Sequence, residues 1–323
     1  TAGQTKLSPV VYVLIAVLLW STGGLFIKLT TLDAYQVTFF RSLFAAITVL
    51  ILTRKNGLKI NAFGIFTSII YALLLFLFVW ATKKTTAANA IFLQYTAPIY
   101  ILVLAPFIIG EKFHWRDLFT VVVVLAGMSL FFVGQLRLED YQGNTAALFS
   151  GIFLGLYIML LRHPKGEGFN PVIAVIYGNF LLAALTAPSG ISALPSMTFM
   201  DWFAVTFLGI FQIGISYILF IKGVRGGTRP LDASLIGFIE PLLNPVWVFL
   251  FVGERPSQWA LLGGGIIIVA IATHTLDNMR VEAAYRLRDQ RNQPTIESPK
   301  LLNWYYQLFP GCGLVPFTFL LML

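Results

Sequence analysis

Ten long apolar runs limit what this chain can fold into. Each comes close to the roughly 20 residues that a helix needs to cross a bilayer, and the connections between them are short. The runs are Pro9 to Ile27, Ala34 to Leu52, Ala62 to Ala81, Thr86 to Ile109, Leu118 to Leu136, Thr145 to Leu161, Pro171 to Ala187, Trp202 to Ile221, Leu231 to Val252 and Gln258 to Thr275. They lack the period-two alternation that marks the strands of a membrane barrel. The sequence therefore predicts an all-α integral membrane protein with ten transmembrane helices in a lipid bilayer.

Composition and the distribution of charge agree with this prediction. Hydrophobic residues make up 58% of the chain and charged residues 11%, compared with about a quarter charged in soluble domains. The net charge of +8 does not predict a nucleic-acid partner, because 16 of the 22 Lys and Arg residues fall on the N-terminal side of the predicted membrane. By the positive-inside rule, both termini are expected in the cytoplasm. Residues 1–8 form a short polar cytoplasmic segment, and the first span is expected to act as its own insertion signal instead of a cleavable signal peptide.

The chain also repeats itself at an interval of 143 residues. Without a gap, this shift superposes Ala90 on Ala233, Pro98 on Pro241, Gly110 on Gly253, Glu111 on Glu254 and Lys112 on Arg255. The predicted halves are residues 9–137 and 138–276, with five spans each. Because five is odd, the second half must cross the bilayer in the opposite sense, as in transporters built from inverted repeats. Residues 277–323 are predicted as a tail that either lies on the membrane surface or is disordered.

Several short segments resemble the EamA family of the drug/metabolite transporter superfamily. They are LLWSTGGLFIKL from Leu18 to Leu29, the arginine of TFFRSLFAA, the two G-E-[KR] span ends, the proline of FIEPLLNP and the glycine-rich WALLGGGIIIVA. The resemblance covers about residues 9–276. It implies a bundle in which spans one to four and six to nine surround a central cavity, and it implies secondary transport or export of small metabolites.

Glu240 is the candidate functional residue with the clearest physical argument. A carboxylate deep in an apolar span is costly unless it faces protein or water. Asn244 lies one helical turn further on the same face, and Gly237 one turn earlier leaves space beside the carboxylate. Such a group can be neutral in one conformation and ionised in another, which is what proton coupling requires. The alternative is a fixed partner of an arginine or a backbone amide that stabilises a single conformation.

Three prolines near the middle of spans are assigned a gating or structural role. Pro98 lies in the fourth span, and Pro241 and Pro245 lie in the ninth. Each removes a backbone donor and frees a carbonyl one turn back, and broken helices near the midplane are where transporters bind solutes. A kink that only fits the helix into the bundle is the alternative. Pro98, being single, is expected to give the milder kink.

The predicted substrate-binding residues are polar or amphipathic side chains inside the spans, which are expected to face inward. They are Trp20, Gln94, Tyr95, Tyr177, Gln212, Tyr217, Glu240 and Asn244. The resemblance places the spans of Gln94, Tyr95, Gln212 and Tyr217 around the cavity, and hydrogen bonding between helices is the alternative role for these groups. Arg41, two turns into the second span, either pairs inward or snorkels to the interface. The resemblance supports a gating or structural role for it.

The predicted function is a secondary transporter that exports small polar or amphipathic metabolites, such as amino acids, by alternating access. It is either coupled to protons through Glu240 or an uncoupled facilitator. A membrane-embedded enzyme, a lipid-handling protein and a non-transporting membrane subunit are the alternatives from other classes. No cofactor, metal site or catalytic residue is predicted, because the three histidines lack metal-ligand spacing, Cys312 is the single cysteine, and neither a catalytic triad nor a P-loop is visible.

Overall fold

The computed structural model describes residues 7–54, 57–85, 87–131, 133, 139–252 and 258–292. The regular structure of these residues is helical. The α-helices are α1 Pro9–Trp20, α2 Gly23–Leu29, α3 Ala34–Thr53, α4 Ala62–Lys84, α5 Ala87–Gln94, α6 Ala97–Ile108, α7 Trp115–Phe131, α8 Tyr141–Leu160, α9 Val172–Ala193, α10 Phe199–Phe207, α11 Ser216–Arg225, α12 Pro230–Ile236, α13 Ile239–Val252 and α14 Gln258–Asn292. Leu208–Ile215 is a π-helix between α10 and α11, and Pro164–Gly166 and Leu194–Ser196 are short 3₁₀ turns. By its contacts the chain divides into two units, Thr1–Thr275 and Leu276–Leu323, and all that follows concerns the first.

Seven of the ten predicted spans appear as helical segments long and apolar enough to cross a membrane. They are Pro9–Ile27, Ala34–Thr53, Ala62–Lys84, Asn89–Ile108, Tyr141–Leu160, Val172–Ser196 and Phe199–Arg225. The other three predicted spans are also helical but do not meet that criterion within the described residues. The fifth corresponds to α7, which has 17 residues, the ninth is divided into α12 and α13, and the apolar part of the tenth is Leu261–Asp277. The helical membrane fold is thus confirmed, whereas the count of ten stays a prediction.

Local sequence signals begin and end several of these helices. Asp33 caps α3 by accepting a hydrogen bond from the Gln36 backbone N–H at 2.9 Å, and the Gln36 side chain accepts one from the Asp33 backbone in return. Thr198 and Asp201 form the same reciprocal arrangement at the start of α10. Gly110, just past the end of α6, has φ +70°, a backbone angle that favours glycine at a helix C-terminus. The glycine of the G-E-K segment therefore has a local structural reason.

Four spans depart from regular α-helix near their middle. The first is interrupted at Ser21 and Thr22, the fourth at Tyr95 and Thr96, and the ninth between Ile236 and Ile239, while the eighth contains the π-helix. Hydroxyl groups satisfy carbonyls that two of these breaks release, since Thr22 donates to Leu19 O at 2.7 Å and Thr96 donates to Leu93 O at 2.6 Å.

The prolines account for two of the breaks. Pro98 falls in the first turn of α6 and Pro241 in the first turn of α13, positions where proline is tolerated because its missing N–H has no helical partner. Both prolines lie in the first turn of a helix that follows a two-residue break, and the milder kink expected at Pro98 stays a prediction. The side chain of Pro245 lies outside the described part of the structure.

The helices pack in corresponding pairs. The third and sixth spans pack together as α4 and α8, and the eighth and first pack as α11 and α1. Likewise α4 contacts α9, while the π-helix and α10 contact α3. The second and seventh spans, α3 and α9, pack directly against each other. These contacts correspond when both spans are replaced by the spans five places along the chain. The contact of the third and sixth spans then matches that of the eighth and first, and the contact of the third and seventh matches that of the eighth and second.

Contacts between connecting segments follow the predicted topology. At one end, the backbone N–H and hydroxyl of Thr31 donate to the Asp201 carboxylate at 2.8 and 3.0 Å. At the other end, Arg225 donates to the carbonyls of Gly166 and Phe169 at 3.2 and 3.3 Å. In both cases the groups that meet belong to segments predicted on the same side of the membrane.

Candidate functional site

A small cavity lies where the irregular segments of the spans meet. Its volume is about 40 Å³. Twelve side chains line it: Trp20, Arg41, Leu74, Leu75, Phe78, Gln94, Tyr95, Leu154, Gln212, Ile213, Tyr217 and Glu240. Two wider recesses, of about 560 and 620 Å³, lie elsewhere and have mainly apolar surfaces, as expected for contact with lipid.

The helix breaks position the polar lining. Trp20 is the last residue of α1, Gln94 the last of α5, and Glu240 lies in the first turn of α13. Gln212 projects from the π-helix, a distortion that is frequent at functional sites because it re-aims one side chain. Non-helical or distorted backbone at membrane depth is tolerated where it lines a cavity or is buried in protein. These departures from regular helix thus converge on one site.

Glu240 has a direct partner in the opposite half of the chain. The Tyr95 hydroxyl donates to Glu240 Oε2 at 2.6 Å, which is short, as hydrogen bonds to a carboxylate are. The two ring centroids of Tyr95 and Phe238 lie 5.0 Å apart beside this bond. Phe238 is the residue that the 143-residue shift superposes on Tyr95. The carboxylate is therefore held at the contact between the breaks of the fourth and ninth spans.

Two further hydrogen bonds fix the lining between halves. Trp20 Nε1 donates to Ser216 Oγ at 2.8 Å, and Gln94 Nε2 donates to Ser150 Oγ at 2.8 Å. Ser150 in turn donates to the Leu74 carbonyl at 3.1 Å. Helix α8 can approach this closely because Gly151 has no side chain there, and a Cβ at Gly151 would lie 2.7 Å from the Gln94 carbonyl oxygen.

An aromatic cluster surrounds Tyr217. Its ring centroid lies 5.0 Å from that of Trp20, 4.8 Å from that of Tyr71 and 5.9 Å from that of Tyr157. Such tilted and edge-to-face contacts are favourable in protein interiors. Packed aromatic rings thus form part of the cavity wall, and amide and charged side chains form another part.

Two lining side chains keep unused hydrogen-bonding capacity. Arg41 is 1% exposed, so it does not snorkel to the interface, and its Nε and Nη2 atoms have no hydrogen-bond partner. Gln212 is 5% exposed, and its Oε1 atom likewise has none. Buried polar atoms without partners are uncommon and costly. Here both lie on the wall of the same cavity.

The structure brings together most but not all of the predicted site residues. Six of the eight predicted substrate-binding residues line the cavity: Trp20, Gln94, Tyr95, Gln212, Tyr217 and Glu240. Tyr177 does not, because it is 37% exposed and its hydroxyl donates to the Leu58 carbonyl at 3.1 Å. The side chain of Asn244 lies outside the described part of the structure. Arg41, predicted in a gating or structural role, lines the cavity as well.

Sequence reasoning missed a cluster of ionic groups at the end of the bundle predicted to face the cytoplasm. Arg229 Nη2 lies 2.7 Å from Asp117 Oδ2, and Arg229 Nε lies 3.8 Å from Glu111 Oε2. Nearby, His274 Nε2 lies 2.9 Å from Asp232 Oδ1. A narrow crevice borders the cluster, with Glu111, Asp117, Arg229 and also Ala105 and Lys112 in its wall. The only signal in the sequence was the G-E-K segment, which supplies Glu111.

Burial and charge act in opposite directions within this cluster. Burial raises the pKa of Glu111, although the charges of Arg229 and Arg162 oppose the rise. For Arg229, burial lowers the pKa, but the hydrogen bond to Asp117 and the neighbouring carboxylates outweigh it, so the pKa is raised. Arg229 therefore stays charged and ties the connection after α6 and the start of α7 to the start of α12. Within the described residues, no three His, Cys, Asp or Glu side chains converge as metal ligands would.

Comparison with known proteins identifies the family. The sequence matches the EamA-like transporter family over residues 7–133 and 142–276. The chain belongs to this family. The resemblance seen in the short segments is thereby confirmed, and the protein is a membrane transporter of the drug/metabolite superfamily.

Relatives of this EamA-like transporter come from all three domains of life. An uncharacterized transporter of Archaeoglobus fulgidus is 22% identical over 80% of this chain and 93% of its own length. The pseudopaline exporter CntI of Pseudomonas aeruginosa is 22% identical over 74% and 85%, and human solute carrier family 35 member G1 is 22% identical over 80% and 76%. A solved crystal structure superposes on this one with a TM-score of 0.70. The two chains are 19% identical, and the match covers 85% of this chain and 98% of the other. The structural match shows the shared fold.

Proposed function

We propose that this EamA-like chain is a secondary transporter that exports small polar or amphipathic metabolites, such as amino acids, by alternating access at the central cavity. The observation that carries the proposal is the convergence of four irregular spans on one polar cavity. Trp20 and Glu240 each lie about ten residues into their spans, which is about 15 Å of helix and half of a bilayer core. Substrate sites of secondary transporters occupy such midplane positions, between broken helices.

Contacts at both ends and a small cavity support a conformational cycle. The Arg229 cluster joins segments at one end, and the bonds between Thr31 and Asp201 join segments at the other. The cavity volume of about 40 Å³ is far below the roughly 300 to 1,000 Å³ of small-molecule sites. A solute would reach the cavity only when one end opens, and the contacts at the two ends would then form and break in turn.

The packing pattern supports an inverted repeat of five and five spans. The contacts between the first three spans and the sixth to eighth spans have counterparts five spans along, as a pseudo-two-fold axis requires. A residue close to such an axis touches its own counterpart, and Tyr95 touches Phe238 in this way. The two family matches, one on each side of residue 137, fit the same division. In a protein with two similar halves, the halves can exchange conformations, and this exchange converts an inward-facing state into an outward-facing one.

Export and proton coupling are the finer parts of the proposal. One relative is named as an exporter, which favours the outward direction. Glu240 is the coupling group in this scheme, and the Tyr95 hydroxyl is its partner in the closed state. Deprotonation and protonation of Glu240 in the two open states would then link proton movement to that of the solute.

The test is counterflow and pH-driven flux in proteoliposomes with each of the twenty amino acids as labelled probes. Glu240→Gln, which keeps the shape of the side chain and can still accept a hydrogen bond from Tyr95, is expected to weaken counterflow without abolishing it and to abolish the response to an imposed pH gradient. A pH-driven flux that survives Glu240→Gln would remove this residue from the coupling mechanism. Wild-type flux that ignores the pH gradient would instead favour an uncoupled facilitator.

A further inference from the structure

Arg41 is a buried charged group of the cavity wall that forms no ion pair in the described part of the structure. It lies on α3, 1% exposed, and no carboxylate of the described residues comes within 4.0 Å of it. The phenol groups of Tyr71 and Tyr217 interact with it electrostatically, but phenols carry no charge near neutral pH. A buried cation without a counter-charge destabilises the fold, so another role has to explain its position.

The unpartnered atoms form one edge of the guanidinium group. Nε and Nη2 each carry an N–H bond along this edge, and the two bonds run parallel in the guanidinium plane. Neither atom has an acceptor. This edge matches the two oxygens of a carboxylate in a bidentate hydrogen bond. Arg41, which lines the cavity, thus carries a two-point donor suited to an oxyanion.

Two other lining residues, Glu240 and Gln212, carry hydrogen-bond acceptors. Glu240 lines the same cavity without pairing with Arg41, since their charged atoms are not within 4.0 Å. The free Oε1 atom of Gln212 adds a second acceptor. Arg41 and Glu240 together would complement a solute with separated negative and positive ends.

We propose that Arg41 binds the carboxylate of the transported solute, which is a zwitterion whose ammonium group faces Glu240 and Gln212. The proposal rests on the transport function and gives its substrate class. The solute binds when one end of the bundle opens and the volume around these side chains grows. The buried charge of Arg41, which destabilises the protein without solute, is then explained by its role in binding the solute.

A first experiment needs no knowledge of the solute and uses two arginines with the same substitution. In the purified full chain, Arg41→Met is expected to leave the unfolding temperature unchanged or to raise it, because it removes an unpaired buried charge. Arg229→Met is the matched control and is expected to lower it, because it leaves Asp117 without its partner at 2.7 Å. A fall for Arg41→Met as large as for Arg229→Met would overturn the proposal, since it would show that Arg41 is a structural residue.

A second experiment tests the carboxylate directly. Each of the twenty amino acids is compared with its amide and with the acid that lacks the amino group, by the shift each causes in the unfolding temperature. At least one amino acid is expected to shift the wild-type protein more than its amide does. That shift is expected to be lost in Arg41→Met and partly kept in Arg41→Lys, which preserves the charge but not the two-point edge.

The outcomes separate this proposal from the transport function. Equal shifts by an amino acid and its amide, or a shift that persists in Arg41→Met, would overturn carboxylate binding at Arg41. Flux of a solute without a carboxylate, together with no response to any amino acid, would also overturn it while leaving transport intact. If proteoliposomes move none of a mixed panel of amino acids, amines and sugars, it is the transport function that fails.

Discussion

The Arg229 cluster gives the sharpest prediction about the conformational cycle. Arg229→Met removes the contact with Asp117 at 2.7 Å and the longer one with Glu111 at 3.8 Å. Breaking a fully buried pair costs about 3 to 5 kcal/mol, and exposed pairs contribute about 0 to 1 kcal/mol. Here the Asp117 side chain is 5% exposed and the Arg229 side chain 30%. We therefore expect about 2 kcal/mol, between those limits.

If the ion pairs of the cluster are broken in the state that is open at this end, Arg229→Met destabilises only the closed state. The full free energy lost by the closed state then favours opening. About 2 kcal/mol changes the ratio of open to closed molecules by roughly 30-fold. The reporter is Ala105→Cys, a buried position on the wall of the adjoining crevice, in a chain whose single natural cysteine, Cys312, is replaced by serine. In detergent, Arg229→Met is expected to raise the rate at which a polar thiol reagent labels this cysteine by about the same factor.

The control is Lys112→Met, which removes the same charge from the wall of the same crevice. Lys112 forms no ion pair within 4.0 Å in the described structure, so its replacement is expected to change labelling less than twofold. The reasoning is refuted if Arg229→Met lowers the unfolding temperature but leaves labelling at the wild-type rate. The pair would then stabilise the helices without controlling access.

Two further predictions use the same preparations. Asp201→Ala removes the acceptor of the two Thr31 hydrogen bonds at the opposite end, so it is expected to favour opening at that end. Labelling of the reporter cysteine should then slow severalfold. Faster labelling would contradict alternation between the two ends. Gly151→Ala places a Cβ 2.7 Å from a carbonyl oxygen and is expected to cost about 1 to 3 kcal/mol, seen as a lower unfolding temperature. Gly265→Ala, with nothing within 4 Å of its Cβ, is the matched control and is expected to stabilise by up to about 1 kcal/mol through helix propensity; equal effects of the two alanines would refute the packing argument.

The membrane fold was predictable because it depends on signals that are local in the sequence. The length of the apolar runs, the capping residues and the prolines each act within a few residues, so Pro98 and Pro241 marked the breaks of the fourth and ninth spans. Neither the break at Ser21 and Thr22 nor the π-helix contains a proline. Both depend on packing between halves, which no local pattern records.

The sequence predicted many of the residues that line the site but few of the contacts between them. Polar side chains in apolar spans are expected to face inward, and this selected Glu240 and Tyr95 without showing that they bond to each other. Tyr177 satisfied the same criterion, yet its hydroxyl bonds to a carbonyl outside the cavity. Arg229 and Asp117 are separated by 112 residues, and only the folded chain shows that these two charges meet.

The comparison of the two halves suggests how scaffold and specificity are divided in this transporter. Pro98 and Pro241 lie 143 residues apart, and each follows a two-residue break in its span, so this feature belongs to the mechanics that the halves share. The polar lining does not repeat in this region, because the shift superposes Gln94 on Gly237, Tyr95 on Phe238 and Ala97 on Glu240. A strictly symmetric cavity would present the same groups to both ends of a solute. An asymmetric one can hold a solute whose two ends differ, and this is the kind of solute that Arg41 and Glu240, which line the cavity without pairing, would select.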